Sequence, residues 1–188
     1  MLRCGLALVA LSAVGCLPRP EPETRRPAER VVAPPAFAEA LATYGALRER
    51  AQRDLPPAQP SDDPTKVVAR QRALAAAIRA LRPAAKQGDV FTPATAAEFG
   101  RVIAADLRSR DRRDASATER QAPPVALRVN DTFPDHASLA PVPPMLLLML
   151  PRLPPALEYR FVNRNLLLLD ADANLIVDFI PDVLPATD

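Results

Sequence analysis

The sequence predicts an α+β protein with a small three-helix layer, a proline-rich connector and a short antiparallel β-meander. Apolar residues recur at helical spacing in three segments between residues 36 and 114. After residue 157 they alternate with the two-residue period of a half-buried strand. The chain also carries 23 prolines in 188 residues, well above the usual ~5%. Proline is excluded from helix interiors and central strands, so irregular chain must separate the two regions.

Length and charge limit the classes of function. A chain of 188 residues is enough for one ordinary domain. The net charge of +2 gives no field strong enough to attract nucleic acid, so we predict no nucleic-acid partner. The arginine-rich stretch 108–114 is interrupted by two aspartates and has no aromatic residue to stack on a base. It is typical of a solvated helix end.

The first residues, MLRCGLALVALSAVGC, have the pattern of an export signal. Arg3 precedes an uncharged, mostly apolar run, Gly5 to Val14, that is too short to span a bilayer. The segment Ala13-Val14-Gly15-Cys16 that follows resembles the lipobox of bacterial lipoproteins. In that family a diacylglycerol is joined to the cysteine thiol and the signal is cleaved just before the cysteine. The resemblance implies a signal peptide at 1–15 and lipid attachment at Cys16.

One departure keeps alternatives open. The lipoprotein family prefers leucine where Ala13 stands, and Ala13-Val14-Gly15 is also a small-x-small site for ordinary signal peptidase. A secreted or periplasmic soluble protein is therefore the alternative, and an N-terminal helix buried in a cytoplasmic protein is a third reading. Leu17 follows the cysteine; by resemblance to sorting in enteric bacteria, this implies the outer membrane, with the domain facing the periplasm.

The mature chain would have no free thiol, because its one cysteine would carry the lipid. Cys4 lies in the part that would be removed, so the domain has no disulfide and is held by its core alone. Residues 16–35 comprise the lipidated cysteine and a proline-rich tether with a reach of about 55 Å when extended.

Three helices are predicted between residues 36 and 114. The second begins with Asp63 as a cap and Pro64 at the first helical position, and Thr92-Pro93 repeats this pattern for the third. The expected buried stripes are Phe37, Leu41, Tyr44 and Leu47 in the first helix, Val67, Leu74, Ile78 and Leu81 in the second, and Ala96, Phe99, Ile103 and Leu107 in the third.

The connector, residues 115–156, contains two features of interest. The run MLLLML at 145–150 is bounded by prolines and predicts either a buried strand or a short helical turn packed on the helices. The only histidine, His136, stands beside an aspartate in a proline-rich loop. No Gly-x-Ser-x-Gly motif accompanies it, so we expect a structural histidine rather than a catalytic one.

A β-meander is predicted for residues 157–182. Leu157, Tyr159 and Phe161 alternate with charged residues, Leu166 to Leu169 form a second run, and 175–180 is rich in β-branched residues. The third run also fits a short helix capped by Asp170. The unbroken leucines imply that the second strand is covered on both faces or that one face is a docking surface. Over about 25 residues the arrangement resembles small meanders at the ends of uncharacterised exported bacterial proteins.

The turn Asp170-Ala-Asp172-Ala-Asn174 begins like a calcium loop. An EF-hand needs glycine at loop position 6 and a bidentate glutamate at position 12. Those positions here are Leu175 and Pro181. We therefore predict an acidic turn, no metal and no cofactor. Asp170, Asp172 and Asn174, with Asp178 as a fourth ligand, remain the candidates for calcium bound in another geometry.

The predicted function is that of a non-enzymatic, envelope-anchored lipoprotein that acts as a binding or interaction module. Its predicted partners are the membrane, through the lipid anchor, and an envelope protein that the sequence does not identify. The alternatives are a secreted calcium-stabilised module and a secreted hydrolase without a recognisable catalytic motif.

Overall fold

The structure is a computed structural model, and it describes residues 32–57, 62–109, 126–133 and 140–184. The helices are α1 (Pro35–Arg53), α2 (Pro64–Leu81), α3 (Pro93–Ser109) and α4 (Pro144–Met149). The strands are β1 (Ala140–Pro141), β2 (Leu157–Val162), β3 (Asn165–Asp170) and β4 (Leu175–Ile180). They form one antiparallel sheet in the order β1-β2-β3-β4. The predicted α+β class, with three helices followed by an antiparallel meander, is confirmed.

The starts of α2 and α3 follow the capping chemistry of the sequence. The Asp63 carboxylate accepts a hydrogen bond from the Thr65 N–H at 2.9 Å, and Pro64 occupies the first helical position. At α3, the Thr92 hydroxyl oxygen accepts from the Thr95 N–H at 3.3 Å. Each cap satisfies a backbone donor that the helix itself leaves free.

The helix stripes are buried largely as predicted, with one error at the start of α2. Leu74 and Ile78 are buried, whereas Val67 is 52% exposed. Val67 lies in the first turn of α2, which lines an open groove instead of the core. The periodicity of the sequence shows which residues share a face, but not how far along the helix a neighbour covers that face.

A ladder of aromatic rings joins the helices to the sheet. The ring of Phe37 on α1 lies 5.2 Å from that of Phe99 on α3, and Phe99 lies 5.8 Å from Tyr159 on β2. Phe91, just before α3, stacks on Phe37 at 5.6 Å. These contacts belong to one buried cluster that includes residues of all four helices and of β2, β3 and β4. One face of the sheet therefore packs on the helices.

The sheet contains more than the predicted meander. The third run is strand β4, so the alternative of a helix at 175–180 is wrong. The short strand β1 pairs with β2 at the edge of the sheet, and the sequence pattern did not predict it. The run at 145–150 is mostly the short helix α4, the second of the two alternatives.

A β-bulge in β4 changes which side chains face the helices. Leu168 pairs with Asp178, but Leu169 pairs with Ile176, so Val177 is the extra residue. Cross-strand partners share a face of the sheet. Leu168 belongs to the helix-side cluster, and the bulge therefore turns its partner Asp178 toward the helices.

The other face of the sheet has its own apolar cluster. It consists of buried Phe133, Val162, Leu167, Leu169 and Ile176. Strand β3 is thus covered on both faces, the first of the two alternatives that the leucine run allowed. Residues 130–133 also protect the edge of β4, because the Asn130 N–H donates to the Ile176 carbonyl at 2.9 Å and the Ile176 N–H donates to the Asp131 carbonyl at 3.0 Å.

None of the helices in the described ranges combines the length and the hydropathy that crossing a bilayer requires.

Candidate functional site

The acidic turn between β3 and β4 is built around a buried carboxylate. Asp170 ends β3 and is fully buried. One of its oxygens accepts hydrogen bonds from the Tyr44 hydroxyl at 2.9 Å and from Arg48 Nε at 2.8 Å. The other accepts from the Ala173 N–H at 3.1 Å, which closes the turn. Asp170 therefore fastens α1 to the sheet, since both Tyr44 and Arg48 lie on α1.

Two further candidate calcium ligands of the turn, Asp172 and Asn174, contact different partners. Asp172 is exposed and forms an ion pair with the terminal guanidinium nitrogen of Arg48. Asn174 has a φ of 46°, a left-handed conformation that asparagine tolerates, and its amide donates to the Phe133 carbonyl at 2.8 Å. Within the described ranges, no group of three or more His, Cys, Asp or Glu side chains is arranged to hold a metal ion. Where a cation would bind Asp170 and Asp172, the guanidinium of Arg48 lies between them.

Calcium is expected to leave the stability of the domain unchanged. Binding at the turn would require displacement of the Arg48 guanidinium from two carboxylates. A thermal unfolding scan with and without millimolar calcium should give the same Tm, because a ligand raises Tm only by binding the folded state. A rise in Tm that disappears in Asp172→Asn would contradict this interpretation.

Arg82 extends the polar cluster on the other side of Tyr44. Its guanidinium carbon lies 5.3 Å from the centre of the Tyr44 ring, and one of its N–H groups donates to the Val177 carbonyl of the bulge at 3.1 Å. Burial lowers the pKa of Arg82 from its ordinary value. The pKa of Tyr44 is raised, mainly by burial and secondly by the adjacent Asp170 carboxylate. At neutral pH the Tyr44 hydroxyl is therefore a firmly protonated hydrogen-bond donor, unsuited to act as a general base.

The two tyrosines predict the behaviour of the domain in alkali. Burial also raises the pKa of Tyr159, and the chain has no third tyrosine. Above the ordinary phenol pKa of 10.0, a tyrosine ionises in the unfolded chain while the buried one stays protonated in the fold. Each tyrosine therefore stabilises the fold fully below this pH, and that stabilisation is lost as the pH rises above it. The free energy of unfolding should fall by up to about 1.4 kcal/mol per pH unit for each tyrosine.

Urea unfolding at several pH values on either side of 10.0 measures this slope. Tyr44→Phe and Tyr159→Phe should each remove part of it, beyond any change that they cause at neutral pH. An unchanged slope in both variants would show that other groups control alkaline unfolding.

Asp178 forms a second buried carboxylate anchor. Its side chain is fully buried and accepts backbone hydrogen bonds from the loop before α3. The donors are the N–H groups of Gly88 at 3.0 Å, Val90 at 2.8 Å and Phe91 at 2.7 Å. The N–H of Phe179 adds a fourth at 2.8 Å. Asp178 therefore holds the α2–α3 loop on the sheet.

An open groove of about 860 Å³ lies beside the acidic turn, between the end of α1 and the first half of α2. The described residues of its walls are Gln52, Leu55, Pro56, Pro57, Lys66, Val67, Ala69, Arg70, Gln71, Ala73, Leu74, Ala171 and Asp172. Two of its polar side chains make contacts within the protein: Arg70 donates to the Pro56 carbonyl, and Gln71 donates to the Ala171 carbonyl at 3.5 Å. The groove offers mixed apolar and basic walls without a convergent set of catalytic groups.

The second exposed feature is what we call the α4 surface, the side chains of Met145, Leu147 and Leu148. They are 53%, 44% and 50% exposed. Leu146 of the same helix and Leu150 after it are buried in the core. The two buried leucines fix α4 to the domain, and the three large apolar side chains of the α4 surface face outward.

Several features of the sequence analysis lie outside the described residues: the signal pattern with Cys16, the tether up to residue 31, the stretch 110–125 and His136. For the others, sequence reasoning placed Tyr44 on a buried stripe but did not identify Asp170 as its partner. Neither Arg48 nor Arg82 was predicted to join a buried cluster. The available signal was a carboxylate next to or inside an apolar strand, as at Asp170 and Asp178, since such a group must find donors when it is buried.

Comparison with known proteins adds no relative: no protein-family model, no curated protein and no solved structure matches this chain.

Proposed function

We propose that this chain is a lipid-anchored protein of a bacterial cell envelope whose folded domain is a non-enzymatic interaction module. The observation that carries the proposal is the N-terminal pattern, in which Arg3 and an apolar run lead to Ala13-Val14-Gly15-Cys16. Lipid attached to Cys16 would supply the anchor. Stable anchoring requires more than one acyl chain, and a diacylglycerol supplies two.

The sequence between Cys16 and the first helix supports a tethered domain. Residues 17–35 contain six prolines and a mixture of charges, a composition typical of semi-rigid spacers. Such a segment would tether the domain to the bilayer and leave it within reach of a partner in the envelope. Leu17 supports placement in the outer membrane, facing the periplasm.

The buried polar groups support an interaction module over an enzyme. Tyr44, Asp170 and Asp178, which have the chemistry to act in catalysis, instead bind groups of the protein itself. Within the part of the chain that the structure describes, the groove beside the acidic turn and the α4 surface are two surfaces that a partner could contact. The proposed partners are accordingly the membrane and an envelope protein that recognises one of these surfaces.

Metabolic labelling with palmitate in a bacterial host tests the anchor. The full-length chain should incorporate label and fractionate with the envelope, whereas Cys16→Ser should lose the label. Cys4→Ser is the matched control, since Cys4 lies in the segment that would be removed and its replacement should leave labelling intact. An unlabelled parent protein recovered from the soluble fraction would overturn the proposal, as would label that persists in Cys16→Ser.

A further inference from the structure

The α4 surface places three large apolar side chains in solvent next to one another. Met145, Leu147 and Leu148 lie within a helix of six residues that follows Pro143. Leu146 on the inner side and Leu150 just beyond the helix are buried, so α4 is held firmly against the domain. An exposed apolar cluster of this kind is typical of a contact surface for a protein or a membrane.

The aromatic ladder connects the start of α1 to the chain just beyond α4 through the core. Phe37 lies in the first turn of α1, and two ring-to-ring steps of 5.2 and 5.8 Å lead from it through Phe99 to Tyr159. The Tyr159 hydroxyl donates to the carbonyl of Pro151, which is two residues beyond α4, at 3.2 Å. The start of α1 and the end of α4 are thus joined by one set of contacts through the buried core.

The chain before α1 is long enough to reach a bilayer and short enough to keep the domain beside it. Val32, three residues before α1, is 87% exposed, and the sequence from Cys16 to Val32 is 17 residues long by its numbering. A linker of this length keeps its two ends at an effective concentration on the order of millimolar. At such a concentration, a tethered domain can occupy a weak contact with the bilayer surface that a free protein would leave empty.

We propose that the α4 surface rests on the same bilayer in which the Cys16 lipid is anchored. This inference rests on the proposed lipid anchor and adds an orientation to it. The three apolar side chains enter the boundary between headgroups and acyl chains, as the apolar faces of interfacial helices do. Arg152 is exposed and stands three residues beyond the end of α4. In this orientation its guanidinium contacts the anionic headgroups of the leaflet. The groove beside the acidic turn remains free for an envelope partner.

A tryptophan reporter tests this orientation, because the natural chain has no tryptophan. The chain from Cys16 to Asp188 contains a single cysteine, which can be coupled to a maleimide-bearing lipid in vesicles of phosphatidylethanolamine and phosphatidylglycerol. This coupling imitates the anchor chemically. In coupled Leu147→Trp, the emission should move to shorter wavelength and be quenched by doxyl-labelled lipids. Met145→Trp is the second reporter in case the first variant does not fold.

Val67→Trp is the matched control, since Val67 is as exposed as the α4 residues but lies on α2 beside the groove. Its emission should stay unchanged on coupling. Absence of quenching at both α4 positions overturns the proposal, as does equal quenching at position 67. Emission already shifted in the uncoupled protein, together with dimers in light scattering, would instead assign the α4 surface to a second copy of the chain. Because the coupling is chemical, these results are independent of whether cells lipidate Cys16.

Discussion

Replacing Asp178 with alanine is expected to lower the free energy of unfolding by about 3 kcal/mol or more. The substitution removes the acceptor of the Gly88, Val90 and Phe91 N–H groups. At least the last two lose a hydrogen bond in a buried setting, where an unsatisfied donor costs about 1–3 kcal/mol. The loop that carries Phe91 also loses its hydrogen-bonded attachment to the sheet. The packing of Phe91 against two other rings of the core is the contact that still holds the loop.

Urea unfolding of the parent and of Asp178→Ala measures this loss from the shift in the transition midpoint. Asp62→Ala is the control, because Asp62 is exposed and its removal should change stability little. Asp178→Asn keeps one acceptor oxygen and should fall between the parent and the alanine variant. Equal stability of Asp178→Ala and Asp62→Ala would mean that the four hydrogen bonds to Asp178 do not hold the loop.

The second large effect is expected at Asp170. Asp170→Ala should cost about 3–5 kcal/mol, the range found when one partner of a buried ion pair is removed. Arg48 would keep its charge in a site where its side chain is only 13% exposed, and the Tyr44 hydroxyl would lose its acceptor. The contact between α1 and the β3–β4 turn depends on these bonds.

Removing both charges together separates this cause from a loss of packing. The double variant Arg48→Met with Asp170→Leu should recover part of the stability lost in Asp170→Ala, since apolar residues of similar size often replace a buried ion pair well. Chemical unfolding of Arg48→Met, of Asp170→Leu and of the double variant completes the double-mutant cycle. Strictly additive losses would show that Arg48 and Asp170 do not interact in the folded protein.

The sequence predicts the elements of this fold better than their contacts. The stripes of Phe37, Leu74 and Ile103 depend on local periodicity, and the Asp63 and Thr92 caps depend on the residues around them. These features are therefore visible in the sequence. The exposure of Val67 and the pairing of β1 with β2 depend on which element lies alongside, which no local pattern contains.

The bulge explains why the anchors could not be predicted. With regular alternation from Leu175, which faces the helices, Asp178 would face the opposite side of the sheet. The extra residue Val177 reverses this phase, and only then does Asp178 reach the loop before α3. The bulge depends on the pairing of β3 with β4, so the sequence of β4 alone does not reveal it.

The same limit applies to the acidic turn. Its spacing of Asp170, Asp172 and Asn174 matches the first ligands of a calcium loop, but the cation that meets the two aspartates is Arg48, 122 residues earlier than Asp170 in the chain. The missing glycine and glutamate argued against an EF-hand from the sequence. The guanidinium that occupies the position is a tertiary contact and could be identified only from the fold.

The mass of the N-terminal peptide tests the central claim, lipid anchoring through Cys16, most directly. Lipoprotein processing and ordinary signal peptidase cleavage after Gly15 both leave a chain that begins at Cys16, so the position of the terminus does not distinguish them. Mass spectrometry of the protein purified from a bacterial envelope should find this peptide heavier by a diacylglycerol group. An unmodified peptide beginning at Cys16, or a peptide that retains residues 1–15, would contradict the account.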